Sequence, residues 1–315
     1  IYSKVMLFLF RLQYPLDLDR APNALDVEES TNQCKAPFMY WKNVKKSLWL
    51  YLKKGFEFSL WPRGKRWGCK SILLNILNGN YIPAEGAVTI NGVDIHHDPK
   101  AIEGVIGYVS QDDLLIEELT VYQNLFYNAK LCFGSLSDKV IAKKVLNLLV
   151  TLGLYETCDL KVGSPLEKTI SGGQRKRLNI ALELIREPSV LFVDEPTSGL
   201  SSRDSENIMD LLKELALKGK LVFVVIHQPS SDIFKMFDQL IILDVGGYPI
   251  YQGNPIDAVM YFKNLINHAK SNESECHVCG NVNPEQIFNI IESKVVDEYG
   301  KLTTHRKVSS EEWNE

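Results

Sequence analysis

The sequence predicts an α/β protein with a mostly parallel core sheet, and three observations support this fold class. Apolar runs at residues 190–193, 221–226 and 240–243 have the length of buried strands rather than of helices. Segments with apolar residues at helical spacing lie between the strands. Polar residues directly follow the first two runs, at the sheet edge where α/β proteins bind ligands. A chain of 315 residues with 45% hydrophobic content is long enough for one large core.

Composition argues against several classes of function. The net charge of -4 and the pI near 6.0 give no electrostatic support for nucleic-acid binding, so we expect no nucleic-acid partner. The longest apolar runs fall short of the roughly 18 residues that a membrane span needs. The six cysteines show no disulfide framework and favour a reducing compartment. Cys276 and Cys279 supply only two ligands of a zinc site, which favours a bare pair or a structural turn.

Residues 1–68 differ in composition and pattern from the rest of the chain. Four of the five tryptophans lie in this segment, which shows no pair of strands with period-two alternation. We therefore expect an atypical, irregular segment that packs poorly against the remainder. Because the sequence begins with Ile1, we expect a fragment, and two explanations for the segment stay open. One is true divergence, and the other is a reading-frame lesion upstream of Cys69.

Lys70 and Ser71 begin an apolar helix that we expect to end at residues 78–79. In a phosphate-binding loop of the form Gly, four residues, Gly, Lys and Ser or Thr, the lysine reaches the β and γ phosphates and the hydroxyl binds Mg²⁺. Gly64 and Gly68 are the candidate nucleotide-binding glycines of such a loop.

The loop before Lys70 departs from that pattern at two positions. Trp67 stands inside it, and Cys69 replaces its second glycine. Backbone N–H groups must approach phosphate oxygens closely, and side chains at these positions obstruct the approach. Whether this loop binds nucleotide is therefore an open question.

Residues 171–200 carry most of the remaining chemistry. Their first four residues form a turn at the start of a helix, where free N–H groups and the positive end of the helix dipole predict a phosphate site. This signature turn consists of Ser171, Gly172, Gly173 and Gln174.

The strand at 190–193 then runs into Asp194 and Glu195, two carboxylates suited to Mg²⁺ and to an attacking water. Gln111 follows a predicted strand at 106–110, and His227 follows the strand at 221–226.

These motifs resemble those of the ATP-binding cassette (ABC) ATPases. SGGQ at 171–174 is similar to the signature motif of that family and LFVDE at 191–195 to its Walker B strand. IHQPSSDIF at 226–234 most resembles the G-type half-transporters, and the resemblance extends from about Cys69 to about Phe288. It implies a P-loop NTPase fold of the ABC cassette type, with a mixed core sheet, an antiparallel β subdomain near 86–94 and a helical subdomain at about 115–180.

The resemblance also implies a role for each candidate residue. Glu195 would be the general base, His227 would contact the γ-phosphate, and Gln111 would bind Mg²⁺ and water. Ser71, Gln111 and Asp194 would form the metal shell around Mg²⁺·ATP.

The signature turn would bind the ATP of a second nucleotide-binding domain in a head-to-tail dimer. Ser201 stands where the family usually has aspartate in its D-loop, so the cross-dimer contact at this position is uncertain.

The expected organisation is a nucleotide-binding domain at 69–265 and a linker at 266–315 towards a transmembrane domain missing from this sequence. The final stretch RKVSSEEWNE shows no core pattern. The implied function is ATP hydrolysis that drives transport, at the cytoplasmic face of the cell (inner) membrane. Two alternatives stay open: a hydrolysis-deficient structural or regulatory cassette, and a soluble ABC ATPase that is not coupled to transport.

Overall fold

The structure of the protein is a computed structural model. This structure describes residues 5–10, 69–83, 87–90, 93–164, 167, 169–244, 248–266, 281–296, 299 and 301–314. Gly64, Gly68, Trp67 and the pair Cys276 and Cys279 lie outside the described residues, so the predictions for them stay predictions.

A six-stranded mixed sheet forms the centre of the described structure. In spatial order its strands are β4 (Ile106–Val109), β5 (Val190–Asp194), β6 (Leu221–Ile226), β1 (Val5–Phe10), β7 (Gln239–Leu243) and β8 (Pro249–Gly253). β4, β5 and β6 are mutually parallel, whereas β1 pairs antiparallel with both β6 and β7. The three apolar runs predicted as strands are confirmed to within one residue at each end.

Alternation along the strands gives the sheet two apolar faces. The residues on one face pack against helix α1 (Cys69–Leu77), where Phe192 and Phe223 stack with ring centroids 4.8 Å apart. The residues between them, such as Leu191 and Val224, are fully buried on the opposite face. Two buried faces explain why these strands are apolar throughout rather than alternating with polar residues.

The opposite face is covered by two long helices. They are α4 (Gly172–Leu184) and α5 (Ser202–Leu217), and each presents an apolar stripe to the sheet. Beyond α4 lies the predicted helical region, with α2 (Val121–Cys132) and α3 (Asp138–Thr151). The expected stop of α3 is confirmed, because Gly153 follows its end with a φ of +63° that favours glycine.

The remaining elements are short. β2 (Thr89–Ile90) and β3 (Val93–Asp94) form the expected antiparallel pair, with Ile90 opposite Val93. The other elements are α6 (Ser231–Lys235), α7 (Pro255–Leu265), α8 (Glu285–Ile291), β9 (Lys294–Val296), β10 (Leu302–Arg306) and α9 (Ser310–Asn314). Among the described residues, no helix has both the length and the apolar character that crossing a membrane requires.

The expectation that residues 1–68 contain no regular structure is wrong for residues 5–10. These residues form β1, whose pairing register sets Met6 opposite Ile226 and Leu7 opposite Ile241. The strand could not be found from a local hairpin pattern because both of its partners lie in the last third of the chain. The prediction for residues 11–68 lies outside the described residues.

The expectation that the final ten residues have no core pattern is also wrong. Trp313 is 7% exposed and packs edge-on against Phe262 of α7, with ring centroids 5.3 Å apart. Arg306 forms an ion pair with Asp244, which lies directly after β7 and is fully buried. A single tryptophan among polar residues carries no periodicity, and for that reason sequence pattern could not assign it to the core.

Candidate functional site

The candidate site lies at the carboxyl edge of the three parallel strands. Val109 of β4 pairs with Val193 of β5, and Asp194 of β5 pairs with Val225 of β6. The next residues along each strand therefore emerge at one edge. This register brings Gln111, Asp194, Glu195 and His227 to the same side of the sheet, as the sequence predicts.

Asp194 is the last residue of β5 rather than the first residue of the following turn. It is 5% exposed, and its negative charge lies near the phenol of Tyr108 on β4. Burial first, and the charge of Asp194 second, raise the pKa of Tyr108. A buried carboxylate and a glutamine at the same sheet edge supply oxygen ligands of the kind that Mg²⁺ prefers.

Glu195 has an unusual backbone conformation. Its φ is +48°, and its N–H donates to the carbonyl oxygen of Val225 at 2.9 Å. Non-glycine residues rarely occupy this left-handed region, and such strain is concentrated at functional sites. Gln228, which follows the exposed His227 on the neighbouring strand, has the same kind of conformation with a φ of +51°. The backbone thus turns sharply at the ends of both β5 and β6.

The signature turn is closed by reciprocal hydrogen bonds. The Ser171 hydroxyl accepts from the N–H of Gln174 at 3.1 Å, and the Gln174 side-chain oxygen accepts from the N–H of Ser171 at 2.8 Å. This capping box rigidly defines the start of α4. The N–H groups of Ser171 and Gln174 therefore have partners inside the turn. Serine followed three residues later by glutamine is a sequence signal for this arrangement.

The two glycines of the signature turn lie against the segment that follows β5. A Cβ on Gly172 would come within 3.2 Å of Leu200, and one on Gly173 within 2.8 Å of the Asp204 carboxylate. Ser201, which replaces the expected aspartate, caps α5: its hydroxyl accepts from the N–H of Asp204 at 3.1 Å. The same hydroxyl donates to the Asp204 carboxylate at 2.8 Å. A negative charge is therefore present one helical turn after the position where the family pattern has it.

Lys70 and Ser71 lie in the first turn of α1, as predicted, and the helix ends at Leu77, followed by Gly79 with a φ of +89°. A helix of this kind usually follows a strand that ends at the ligand edge. β1, the strand next to β6, does not end there. β1 runs antiparallel to β6 and reaches the opposite edge of the sheet, where Phe10 pairs with Val222. Residues 11–68 then intervene before α1.

Sequence reasoning did not identify the side chains that fix the loop carrying Gln111. Arg175 and Asn179 of α4 are both buried and hydrogen-bond to residues 110–114. From sequence alone, Arg175 would be interpreted as an exposed surface charge, because its partner Asp113 is distant along the chain. Among the described residues, no three histidine, cysteine, aspartate or glutamate side chains are grouped so that they could hold a metal ion.

Comparison with known proteins shows that the chain is similar to ABC transporters. The family model described as "ABC transporter" matches residues 68–198, and the one described as "ABC-2 type transporter" matches residues 227–301. ABC transporter G family member 14 of Arabidopsis thaliana is 36% identical over 260 residues, covering 80% of this chain and 39% of that protein. The broad substrate specificity ATP-binding cassette transporter ABCG2 of Mus musculus is 36% identical over 243 residues, covering 75% of this chain and 36% of that protein.

A solved structure is similar as well. The structure of cbiO1 from Clostridium perfringens, described as part of the ABC transporter complex cbiONQ, has a TM-score of 0.51 and 29% sequence identity. The similarity covers 62% of this chain and 78% of that one. The chain spans less than two fifths of the length of the two transporters named above.

Proposed function

Because the chain belongs to the ABC transporter family, we propose that it is a nucleotide-binding domain that binds and hydrolyses ATP to drive transport across a membrane. The predicted ABC cassette fold is confirmed by the similarity to cbiO1, and the predicted G-type resemblance by the relatives from the G family. The observation that carries the proposal is the register of β4, β5 and β6, which gathers a glutamine, two carboxylates and a histidine at one sheet edge.

The proposed chemistry assigns a separate task to each residue at that edge. Asp194, Gln111 and Ser71 would hold Mg²⁺, which supplies charge neutralisation at the phosphates when it is bound with ATP. Glu195 would accept a proton from the attacking water, and its turned backbone directs it away from the strand. His227 would donate to the γ-phosphate from the end of β6. Lys70 would reach the β and γ phosphates.

The proposal includes two protein partners. The match of residues 227–301 to an ABC-2 type transporter supports association with a transmembrane domain. The signature turn would bind the ATP of a second nucleotide-binding domain in a head-to-tail dimer, at the cytoplasmic face of the cell (inner) membrane. Ser201 and Asp204 would then lie beside the dimer contact, since Asp204 touches Gly173 of that turn.

A hydrolysis-deficient cassette is the second candidate, and the sequence of the loop before Lys70 favours it. Trp67 and Cys69 place side chains where the backbone must approach phosphate closely. The alternative of a soluble ABC ATPase without transport has no comparable support, because the relatives named above are transporters.

The deciding experiment measures ATP hydrolysis by the chain with its loop restored by Trp67→Gly and Cys69→Gly. Glu195→Gln in that background should lower the rate by about 10²- to 10⁴-fold, the usual loss on removing a general base. The matched control is Glu206→Gln, which removes an exposed carboxylate on α5. Undiminished hydrolysis in Glu195→Gln would overturn the assignment of the base. Tight ATP binding without hydrolysis in the restored parent would instead support the hydrolysis-deficient cassette.

A further inference from the structure

The loop that carries Gln111, called here the glutamine loop (residues 110–114), is held by few apolar contacts. Gln111 and Asp112 are exposed, and Leu114 is 67% exposed. A cavity of about 160 Å³ lies beside the loop, lined in part by Ser110, Leu114 and Asn179. Apolar packing alone therefore does not fix the position of this loop. Polar contacts must hold it in place.

Helix α4 supplies two of those contacts from the residues directly after the signature turn. Arg175 donates through Nε to the Asp113 carboxylate at 3.1 Å. Lys176 donates through Nζ to the backbone carbonyl of Gln111 itself, and the same ammonium lies 3.7 Å from Asp113. The start of the signature helix is thus bonded to the middle of the glutamine loop.

Asn179, one helical turn further along α4, holds both ends of the glutamine loop. Its side-chain oxygen accepts from the N–H of Leu114 at 3.3 Å, and its amide donates to the carbonyl oxygen of Ser110 at 3.5 Å. Asn179 is 3% exposed, so water competes poorly for these bonds. The loop is consequently fixed along its whole length to one face of α4.

The guanidinium of Arg175 also hydrogen-bonds to the segment that precedes the signature turn. Its Nη1 donates to the carbonyl oxygens of Gly163 at 2.6 Å and Val162 at 3.4 Å. Arg175 is only 7% exposed, and a desolvated guanidinium needs all of these acceptors. One side chain therefore joins the glutamine loop, the start of α4 and the segment before the signature turn.

We propose that Arg175 and Asn179 are positioning residues that make the placement of Gln111 depend on the placement of the signature turn. The inference rests on the proposed function, in which Gln111 serves the ATP of this chain and the signature turn serves the ATP of a partner. A displacement of the signature turn on binding that second ATP would then be transmitted through Arg175 to the metal shell of the first. The coupling is reciprocal, as thermodynamic linkage requires.

The first test measures amide hydrogen exchange, which needs neither ATP nor hydrolysis. Asp113→Asn should speed exchange at residues 172–174 about tenfold, the change produced by a loss of 1.4 kcal/mol in local stability. The matched control is Asp112→Asn, the exposed neighbour in the same loop. Unchanged exchange at the signature turn in a folded Asp113→Asn protein, or equal effects of the two variants, would overturn the proposal.

The reverse direction is tested from the helix. Arg175→Gln should speed exchange at residues 110–114, whereas Lys143→Gln should leave that loop unchanged, because Lys143 is an exposed cation on α3. Arg175→Lys keeps a charge for Asp113 and should restore part of the protection. It also serves as the readout if Arg175→Gln fails to fold. Equal loop exchange in Arg175→Gln and Lys143→Gln would contradict the coupling.

A kinetic measurement separates positioning from simple structural support. In the loop-restored chain, Arg175→Gln should raise the Mg²⁺ concentration needed for half-maximal hydrolysis, because Gln111 is displaced from the metal shell. Lys143→Gln should leave that concentration unchanged. A lower rate at the same Mg²⁺ dependence would mean that Arg175 is merely structural. If the parent proves unable to hydrolyse ATP, the proposed function fails while the exchange measurements still decide the coupling.

Discussion

The carboxylate of Asp204 lies against Gly173, so closely that a Cβ at residue 173 would come within 2.8 Å of its Oδ1. Gly173 belongs to the first turn of α4, and Asp204 belongs to the first turn of α5. The contact therefore joins the amino-terminal ends of the two helices that cover one face of the sheet. A carboxylate between two such ends is favourably placed with respect to both helix dipoles.

Gly173→Ala should destabilise the folded protein. The added methyl must displace the Asp204 carboxylate, and overpacking of this kind costs roughly 1–3 kcal/mol. The better helix propensity of alanine offsets up to about 1 kcal/mol of that cost. Urea unfolding should therefore show a net loss of about 1 kcal/mol.

Gly134→Ala is the control for this substitution, because a Cβ there meets nothing within 4 Å. In a protein that already carries Asp204→Ala, the further change Gly173→Ala should cost little stability, since the clash is absent. Equal stability of Gly173→Ala and the parent would show that Asp204 moves aside without cost.

Restoring the phosphate-binding loop should tighten nucleotide binding. Trp67→Gly with Cys69→Gly removes two side chains from positions where the backbone must approach phosphate. We expect a gain of at least about 1.4 kcal/mol, or one decade in the dissociation constant for ATP. Calorimetry on the parent and the double variant measures this directly. The same ATP affinity in both proteins would show that the loop tolerates tryptophan.

Removing the partner of Asp244 should loosen the carboxyl-terminal part of the structure. Arg306 donates to both oxygens of Asp244, at 3.0 and 2.9 Å, and Ser310 donates at 3.0 Å. Breaking a fully buried pair costs about 3–5 kcal/mol, but Arg306 is partly exposed and the bond from Ser310 remains. Arg306→Ala should therefore cost about 2 kcal/mol in urea unfolding.

Lys307→Ala is the matched control for Arg306→Ala. It removes a neighbouring cation that is exposed. Its backbone N–H, which donates to the carbonyl oxygen of Ser293, is retained. A loss of stability as large as that of Arg306→Ala would contradict the role assigned to the ion pair.

Hydrogen exchange should divide residues 1–68 into two parts. The amides of β1 should exchange as slowly as those of β5, because β1 is paired on both sides within the sheet. Residues 11–60 should exchange quickly, as their irregular pattern predicts. Slow exchange throughout both parts would argue for a genuine added domain and against a reading-frame lesion. Rapid exchange at residues 5–10 would contradict the placement of β1.

Sequence predicted the site edge because each of its residues lies at the end of a strand that is recognisable on its own, or within two residues of it. Asp194 and His227 needed no long-range information beyond the rule that parallel strands share a carboxyl edge. β1 was missed for the opposite reason. A short apolar run fits many partners, and the choice of β6 and β7 depends on contacts with the far end of the chain.

The same distinction explains why the residues around the glutamine loop were missed. The pairing of Arg175 with Asp113 depends on the path of a loop that carries no periodicity. The closure of the signature turn by Ser171 and Gln174 was readable, because a capping box is a local pattern. Local chemistry is thus recoverable from sequence, whereas contacts between distant loops are decided by the fold.

The position of β1 in the middle of the sheet also affects how the protein folds during synthesis. The apolar strand Val5–Phe10 is made well before its partners β6 and β7, which belong to the last third of the chain. At roughly 5–20 residues per second, ribosomes need on the order of 10–40 s to reach them. During that interval the nascent chain carries an unpaired apolar strand, which is prone to aggregation. Productive folding should therefore depend on chaperone cover of β1 until β6 and β7 have emerged.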